Sequence, residues 1–248
     1  MVPDITVMSF NIHCGRGTDG VLDLQRIASV IRASGADIAG LQEVDRNFSE
    51  RSNWADQAAE LAELLHCLVV YGANIDLGPP APGKPRIQFG NAVLSLYPIA
   101  RWENTHLFQS PGHEQRGLLH AEVDLPGARL HVYVAHLEAF SETDRVRQAQ
   151  QVAELVDENR PAVLLGDLNA HPETPEIGSL GATLTDTWTV AAGGGPLATR
   201  PTDPPAERID YIFISQPLRA LWTSLRTDDP AASDHLPVVS RLALGTGR

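Results

Sequence analysis

The sequence predicts a single α/β domain with mixed sheets spanning residues 1–248. Three observations predict it. Apolar runs of strand length recur throughout, and only a few stretches carry the 3.6-residue period of an amphipathic helix. From Leu68 to His136, strand patterns follow one another through turn residues with no helix between them, which suits antiparallel hairpins and fits a doubly wound parallel sheet badly. No internal repeat, low-complexity tract or break in composition divides the chain.

The elements follow in order. Ile5-Thr6-Val7-Met8-Ser9-Phe10-Asn11 alternates as a strand and ends on Asn11, ahead of a loop at Cys14-Gly15-Arg16-Gly17. Asp23 caps a helix whose Leu24, Ile27, Ala28 and Ile31 share one face, and Gly35 stops it. Ala36 to Glu43 reads as a second strand. A helix over Trp54 to Leu65 and a strand over Leu68 to Tyr71 come next. Gly78 to Pro85 is a proline-rich loop, because a strand pattern resumes at Phe89-Gly90-Asn91-Ala92-Val93-Leu94-Ser95. Turns at Tyr97-Pro98, Ser110-Pro111-Gly112 and Pro126-Gly127 join antiparallel strands as far as His136. Ser141-Glu142-Thr143-Asp144 caps a helix running to Glu158. Val163-Leu164-Leu165 then delivers Asp167 and Asn169 two residues apart, so that both side chains can face one pocket. Ala191 to Ala206 forms a long surface loop, and strands at Arg208–Ile214 and Leu236–Leu242 flank Leu218 to Arg226.

Composition narrows the function. No apolar run approaches membrane-spanning length, and the start, Met1-Val2-Pro3-Asp4, has neither the basic nor the apolar part of a secretory signal, so a cytoplasmic location is expected. Cys14 and Cys67 lack metal-ligand spacing and read as small buried apolar residues. The formal charge is −12, with Lys84 the single lysine and the arginines scattered. That balance disfavours a nucleic-acid partner gripped along its length, although a local arginine cluster could hold one phosphate. No obligate protein partner is evident.

Polar residues collect where apolar runs stop: Asn11, Glu43, His136, Asp167, Asn169, Asp210 and the pair Asp234-His235. Charged groups beside a core are costly unless they are paired or bind metal. An oxygen-rich set suits Mg²⁺, with Mn²⁺ or Ca²⁺ as substitutes, better than zinc, and two histidines supply proton transfer near neutral pH. Together they point to metal-assisted attack of water on a phosphoryl group.

Ser9-Phe10-Asn11-Ile12-His13, Leu41-Gln42-Glu43-Val44-Asp45, Gly166-Asp167-Leu168-Asn169-Ala170, Arg208-Ile209-Asp210-Tyr211 and Ser233-Asp234-His235-Leu236-Pro237 stand in the order and rough spacing of one family. The chain resembles bacterial-type members of the endonuclease/exonuclease/phosphatase superfamily, the deoxyribonuclease-I-like fold. The resemblance implies a four-layer α/β/β/α sandwich of two mixed, mostly antiparallel sheets covered by helices, with a divalent metal at one edge. It gives Glu43 the role of principal metal ligand with Asn11 beside it, and places Asp234 near the metal. Asp167 resembles the residue that readies water, and Asn169 the amide on the phosphoryl oxygens. His235 resembles the histidine that contacts the phosphate or acts as acid or base, with Asp210 holding its ring. His136 is a candidate to protonate the leaving oxygen. Arg116 resembles a phosphate clamp, with a surface salt bridge as the plain alternative, and Asn91 an amide that supports the site and is counted with Arg116, Asn169 and His235 as phosphate-binding, with a turn as its alternative. Asp45 and Glu138 are expected to face away, while His13 and His171 could line the pocket.

The chain also departs from the family. No basic or aromatic loop of the kind that embraces DNA is evident, and Arg200 stands where an aromatic often follows the loop threonine. The expected function is a Mg²⁺-dependent hydrolase of a small or lipid-derived phosphoester. A metal-dependent nuclease or DNA-end-processing phosphodiesterase, and a catalytically silent phospho-ligand binder, are the alternatives.

Overall fold

The structure, a computed structural model, describes residues 4–191 and 198–245. The first three residues of the predicted signal-free start, and 192–197 of the predicted surface loop, lie outside the described residues. In chain order the elements are β1 (Ile5–Asn11), α1 (Leu24–Ser34), β2 (Ile38–Arg46), α2 (Gln57–Leu65), β3 (Leu68–Leu77), β4 (Ile87–Ser95), β5 (Ile99–His106), β6 (Gly117–Leu125) and β7 (Ala128–His136). They continue with α3 (Glu142–Leu155), β8 (Ala162–Asp167), α4 (Pro175–Gly181), β9 (Thr185–Asp186), α5 (Thr187–Ala191), β10 (Asp210–Ile214), β11 (Leu218–Leu225) and β12 (Val238–Leu244).

One sheet runs β11-β12-β1-β2-β4-β3 and the other β5-β6-β7-β8-β10-β9. Only β1–β2 and β7–β8 pair in parallel; the remaining pairs are antiparallel. Valines, leucines and isoleucines from both sheets meet in the central core, among them Val7, Ile38, Val134, Leu165 and Ile212. Ile27, Ile31 and Leu61 of α1 and α2 cover the outer face of the first sheet, and Val152 and Leu180 of α3 and α4 that of the second. The four-layer sandwich is therefore present. Each fully buried aliphatic side chain contributes about 1.5–3 kcal/mol.

The caps explain where helices begin. Asp23 accepts from Arg26 N at 3.0 Å, as its sequence predicts. The second helix starts at Gln57 rather than Trp54, because Asn53 and Trp54 hold positive φ values of 52° and 57° and Asp56 supplies the cap to Ala59 N. Ser141 caps α3 through Asp144 N at 3.2 Å, but the helix ends at Leu155, short of Glu158. The strand predicted to stop at Tyr71 continues to Leu77.

Strand parity positions the site. The interior face of β1 carries Ile5, Val7, Ser9 and then Asn11; that of β7 carries Val132, Val134 and then His136. On β8 the series is Val163, Leu165, Asp167, and on β10, read from its far end, Ile214, Ile212, Asp210. Register aligns His136 with Asp167 and Asp167 with Asp210 across three neighbouring strands. The alternation that fills the core with aliphatics thus places polar groups at its open end.

Candidate active site

Glu43 breaks the parity rule. Ala39 and Leu41 face α1 and α2, and two residues further on Glu43 would too; instead its backbone turns left-handed at φ 55°, and the β2–β4 register shifts between Leu41 and Val44. This bulge swings the carboxylate to the sheet edge and returns Val44 to the helix side. Asn169 is likewise left-handed at φ 48°. Backbone in this region is strained for a glutamate and tolerated by asparagine.

The carboxylate of Asp167 is the meeting point. Its Oδ2 accepts from Asn11 Nδ2 at 2.9 Å and lies 3.6 Å from Nε2 of both His136 and His235. Its Oδ1 accepts from Asn169 N at 3.1 Å. Asn11 Nδ2 also donates to Glu43 Oε1 at 2.9 Å, while Asn11 Oδ1 accepts from His13 N. Asn11 therefore turns its NH₂ toward the two carboxylates and holds them in place. Asn169 Nδ2 donates to Leu137 O at 2.9 Å, leaving a second N–H.

Two histidines take opposite charge states. His235 Nδ1 sits 2.9 Å from Asp210 Oδ2. Burial opposes its charge, yet Asp210 and Asp167 outweigh that and raise the imidazole to about 10, so the ring is cationic at neutral pH. Thr199 Oγ1 accepts from Asp210 N and fixes the strand start beneath it. His136 is pushed well below its usual range, first by burial and then by Arg116. Arg116 Nη1 lies 3.1 Å from His136 Nδ1, and a guanidinium can only donate. The neutral ring consequently carries its proton on Nε2, aimed at Asp167. Burial raises the Asp167 carboxyl to about 7, opposed by His235 and reinforced by Asp210.

A cleft of about 460 Å³ opens above these groups, lined by Glu43, Arg116, His136, Asp167, Asn169 and His235 on its floor. Arg145, His171, Arg200 and Phe140 stand on its walls. Arg116 is 5% exposed, lines the cleft and pairs with Glu114 at 2.7 Å.

Other sequence expectations need correction. Asn91 is fully buried and donates to Gly117 O and Val134 O of the opposite sheet, so it is a strut between sheets, not a phosphate ligand. Asp234 lies beside the cleft, 3.4 Å from Arg200 and 3.8 Å from His13, with Oδ1 buried and unpaired. Asp45 does face away, gripped by Arg51 at 2.6 and 2.8 Å. Glu138 does not: it is 3% exposed and 3.8 Å from Arg116 Nε. Phe140 and Arg145 were not singled out by the sequence, although Phe140 interrupts an otherwise polar stretch directly after the His136 motif.

The family model for the Endonuclease/Exonuclease/phosphatase family matches residues 8–235. The chain belongs to this family. Endonuclease/exonuclease/phosphatase family members are metal-dependent phosphoester hydrolases, and this chain is one by class. Among relatives, uncharacterized protein YbhP of Escherichia coli (strain K12) is 30% identical over 265 residues, covering 96% of each chain. An endonuclease/exonuclease/phosphatase from Beutenbergia cavernae superposes with a TM-score of 0.85 at 31% identity, covering 98% of this chain and 72% of that one. The mannosyl-6-phosphatase of Bacteroides thetaiotaomicron shares the fold at TM-score 0.75 and 20% identity, over 97% of this chain and all 100% of its own.

The residues present fit the family's divalent cation. Glu43 and Asp167 line the cleft, Asp210 stands opposite Asp167 in the strand register, and Asp210 Oδ1 is buried without a hydrogen-bond partner. Asp167, Asp210 and His235 lie within 4.8 Å of one another, and because the cationic His235 ring has no lone pair to give, the carboxylate oxygens are the donors on offer. Oxygen donors of this kind suit a hard cation.

Proposed function

We propose that this chain is a Mg²⁺-dependent hydrolase of small phosphoesters. Glu43 is the residue best placed to hold the ion, with Asp167 and Asp234 nearest to assist. The ion, when bound, would neutralise nonbridging phosphoryl oxygens and lower the pKa of attacking water. Asp167, between two imidazoles, orients that water and takes its proton. His235, cationic and held by Asp210, hydrogen-bonds the phosphoryl group and gives its proton to the leaving ester oxygen as the P–O bond breaks. His136 was expected to protonate the leaving oxygen; a neutral ring with its proton on Nε2 supports a hydrogen-bonding role instead. Arg116 and the free N–H of Asn169 add donors to the same oxygens.

The observation that carries this reading is the convergence of Asn11, His136 and His235 on one oxygen of Asp167. Substrate size is supported by a cleft of about 460 Å³ and by a formal charge of −12. A sugar-phosphate phosphatase on the same fold, the neighbour from Bacteroides, handles a ligand of that scale. The test is hydrolysis of p-nitrophenyl phosphate, bis-p-nitrophenyl phosphate and supercoiled plasmid with Mg²⁺ and with EDTA. One small ester should turn over, stop in EDTA, and fall about 10³-fold in Asp167→Asn. Faster nicking of plasmid than turnover of either small ester would favour the nuclease; no turnover of any would favour a silent binder.

A further inference from the structure

We propose that Phe140 forms a leaving-group subsite that takes an aromatic ring, so that the preferred small phosphoester carries an aryl or nucleobase group. The proposal rests on the phosphoesterase reading of the cleft. Phe140 is 98% exposed, the most exposed large apolar side chain among the described residues; the next, Val190, is 59% exposed. It lines the same cleft as Glu43, Asp167 and His235.

Its mount is rigid. Leu137 N donates to Asp167 O at 3.0 Å and Glu138 N to Gln148 Oε1 at 2.8 Å. Phe140 N donates to Glu138 Oε1 at 2.9 Å, and Arg145 Nη1 donates to the carbonyls of Glu138 and Ala139 at 3.1 and 3.2 Å. Ser141 then caps α3. A loop fixed at each of these points displays its one large apolar group to water, beside the groups that act on phosphorus. An aromatic face is a stacking platform that tolerates many ring types. A single ring flanked by Ser141, Glu142 and Arg145, on a protein of charge −12, is a poor wedge for a bilayer.

The experiment compares phenyl phosphate, n-propyl phosphate and adenosine 5′-monophosphate, and the methyl diester of each, for the intact chain and for Phe140→Ala, Phe140→Leu and Phe140→Trp, all with Mg²⁺. Phe140→Ala should lower the ring-over-propyl ratio of kcat/KM about tenfold, mainly through KM. Phe140→Trp should restore the ratio and Phe140→Leu should not. A larger effect on phenyl phosphate assigns a ring bonded to the ester oxygen; a larger one on the nucleotide assigns a base one sugar away. A ratio moved less than twofold, or full rescue by leucine, overturns the proposal. Calorimetry with phenylphosphonate and methylphosphonate, which cannot be hydrolysed, reads the subsite without turnover. If the chain hydrolyses nothing yet binds phenylphosphonate more tightly through Phe140, the hydrolase reading falls and the subsite stands; equal binding of both phosphonates sinks the subsite.

Discussion

At the scale of single residues, the site is defined by which groups hold charge. His235 is raised to about 10 chiefly because Asp210 and Asp167 outweigh burial. A histidine raised in the folded state adds stability that is complete below its unfolded value of about 6.5 and is lost as pH climbs through its folded value. The same shift keeps His235, the proposed acid, charged across the neutral range. Removing the Asp210 charge should release it: in Asp210→Asn the alkaline fall of kcat/KM, measured on a soluble nitrophenyl ester with Mg²⁺, should move down toward pH 7, while the wild-type protein holds its rate to pH 9. Identical profiles would mean that His235 does not act as a cation. Glu43 offers a different test, because its φ of 55° is strained for a glutamate and free of strain for glycine. Glu43→Gly should leave unfolding free energy in EDTA unchanged or raised by about 1 kcal/mol, yet abolish Mg²⁺ binding in calorimetry. A variant that unfolds more readily and still binds the ion would show that the bulge serves packing rather than the metal.

At the scale of elements, strand ends were legible and exceptions to strand geometry were not. Asn11, His136, Asp167 and Asp210 stand at the ends of apolar runs, so their convergence follows from strand parity once the register is known. Glu43 sits on the wrong parity, and only the left-handed bulge, which no side-chain pattern announces, brings it in. The sequence motif at Asn91 likewise says nothing about direction; its amide spans the gap to Gly117 and Val134 in the facing sheet. Asn91→Ala would leave those two buried carbonyls without their donor and should destabilise the fold by about 1–3 kcal/mol, with phosphate inhibition little changed. A large loss of phosphate affinity at normal stability would return Asn91 to the binding site. Gly40 marks how closely the sheets approach there: a Cβ would lie 2.8 Å from both Leu165 Cδ1 and Val134 Cγ2. Gly40→Ala should cost about 1–3 kcal/mol through overpacking, read by urea unfolding.

At the scale of the whole molecule, the sandwich confines its basic groups. Arg51, Arg129 and Arg208 are each held by acids, and the cleft's own Arg116, Arg145 and Arg200 pair with Glu114, Glu176 and Asp234. With these six arginines paired and a formal charge of −12, the surface is acidic on balance, which opposes a long polyanion. A small ester meets the short-range field of the cleft, but a duplex must also approach the acidic surface around it. The two therefore respond differently to salt. Lowering ionic strength from 0.1 M to 0.01 M extends the screening length from about 10 Å to about 30 Å, which lengthens the reach of repulsion. A protein that neutralises DNA phosphates binds more tightly under those conditions, because fewer released counterions oppose it. Here the trend should reverse: duplex DNA added to a small-ester assay should inhibit weakly at 0.1 M salt and more weakly still at 0.01 M. Inhibition that strengthens as salt is withdrawn would reveal a basic surface that the ion pairs conceal, and would turn the substrate assignment from small esters toward nucleic acid.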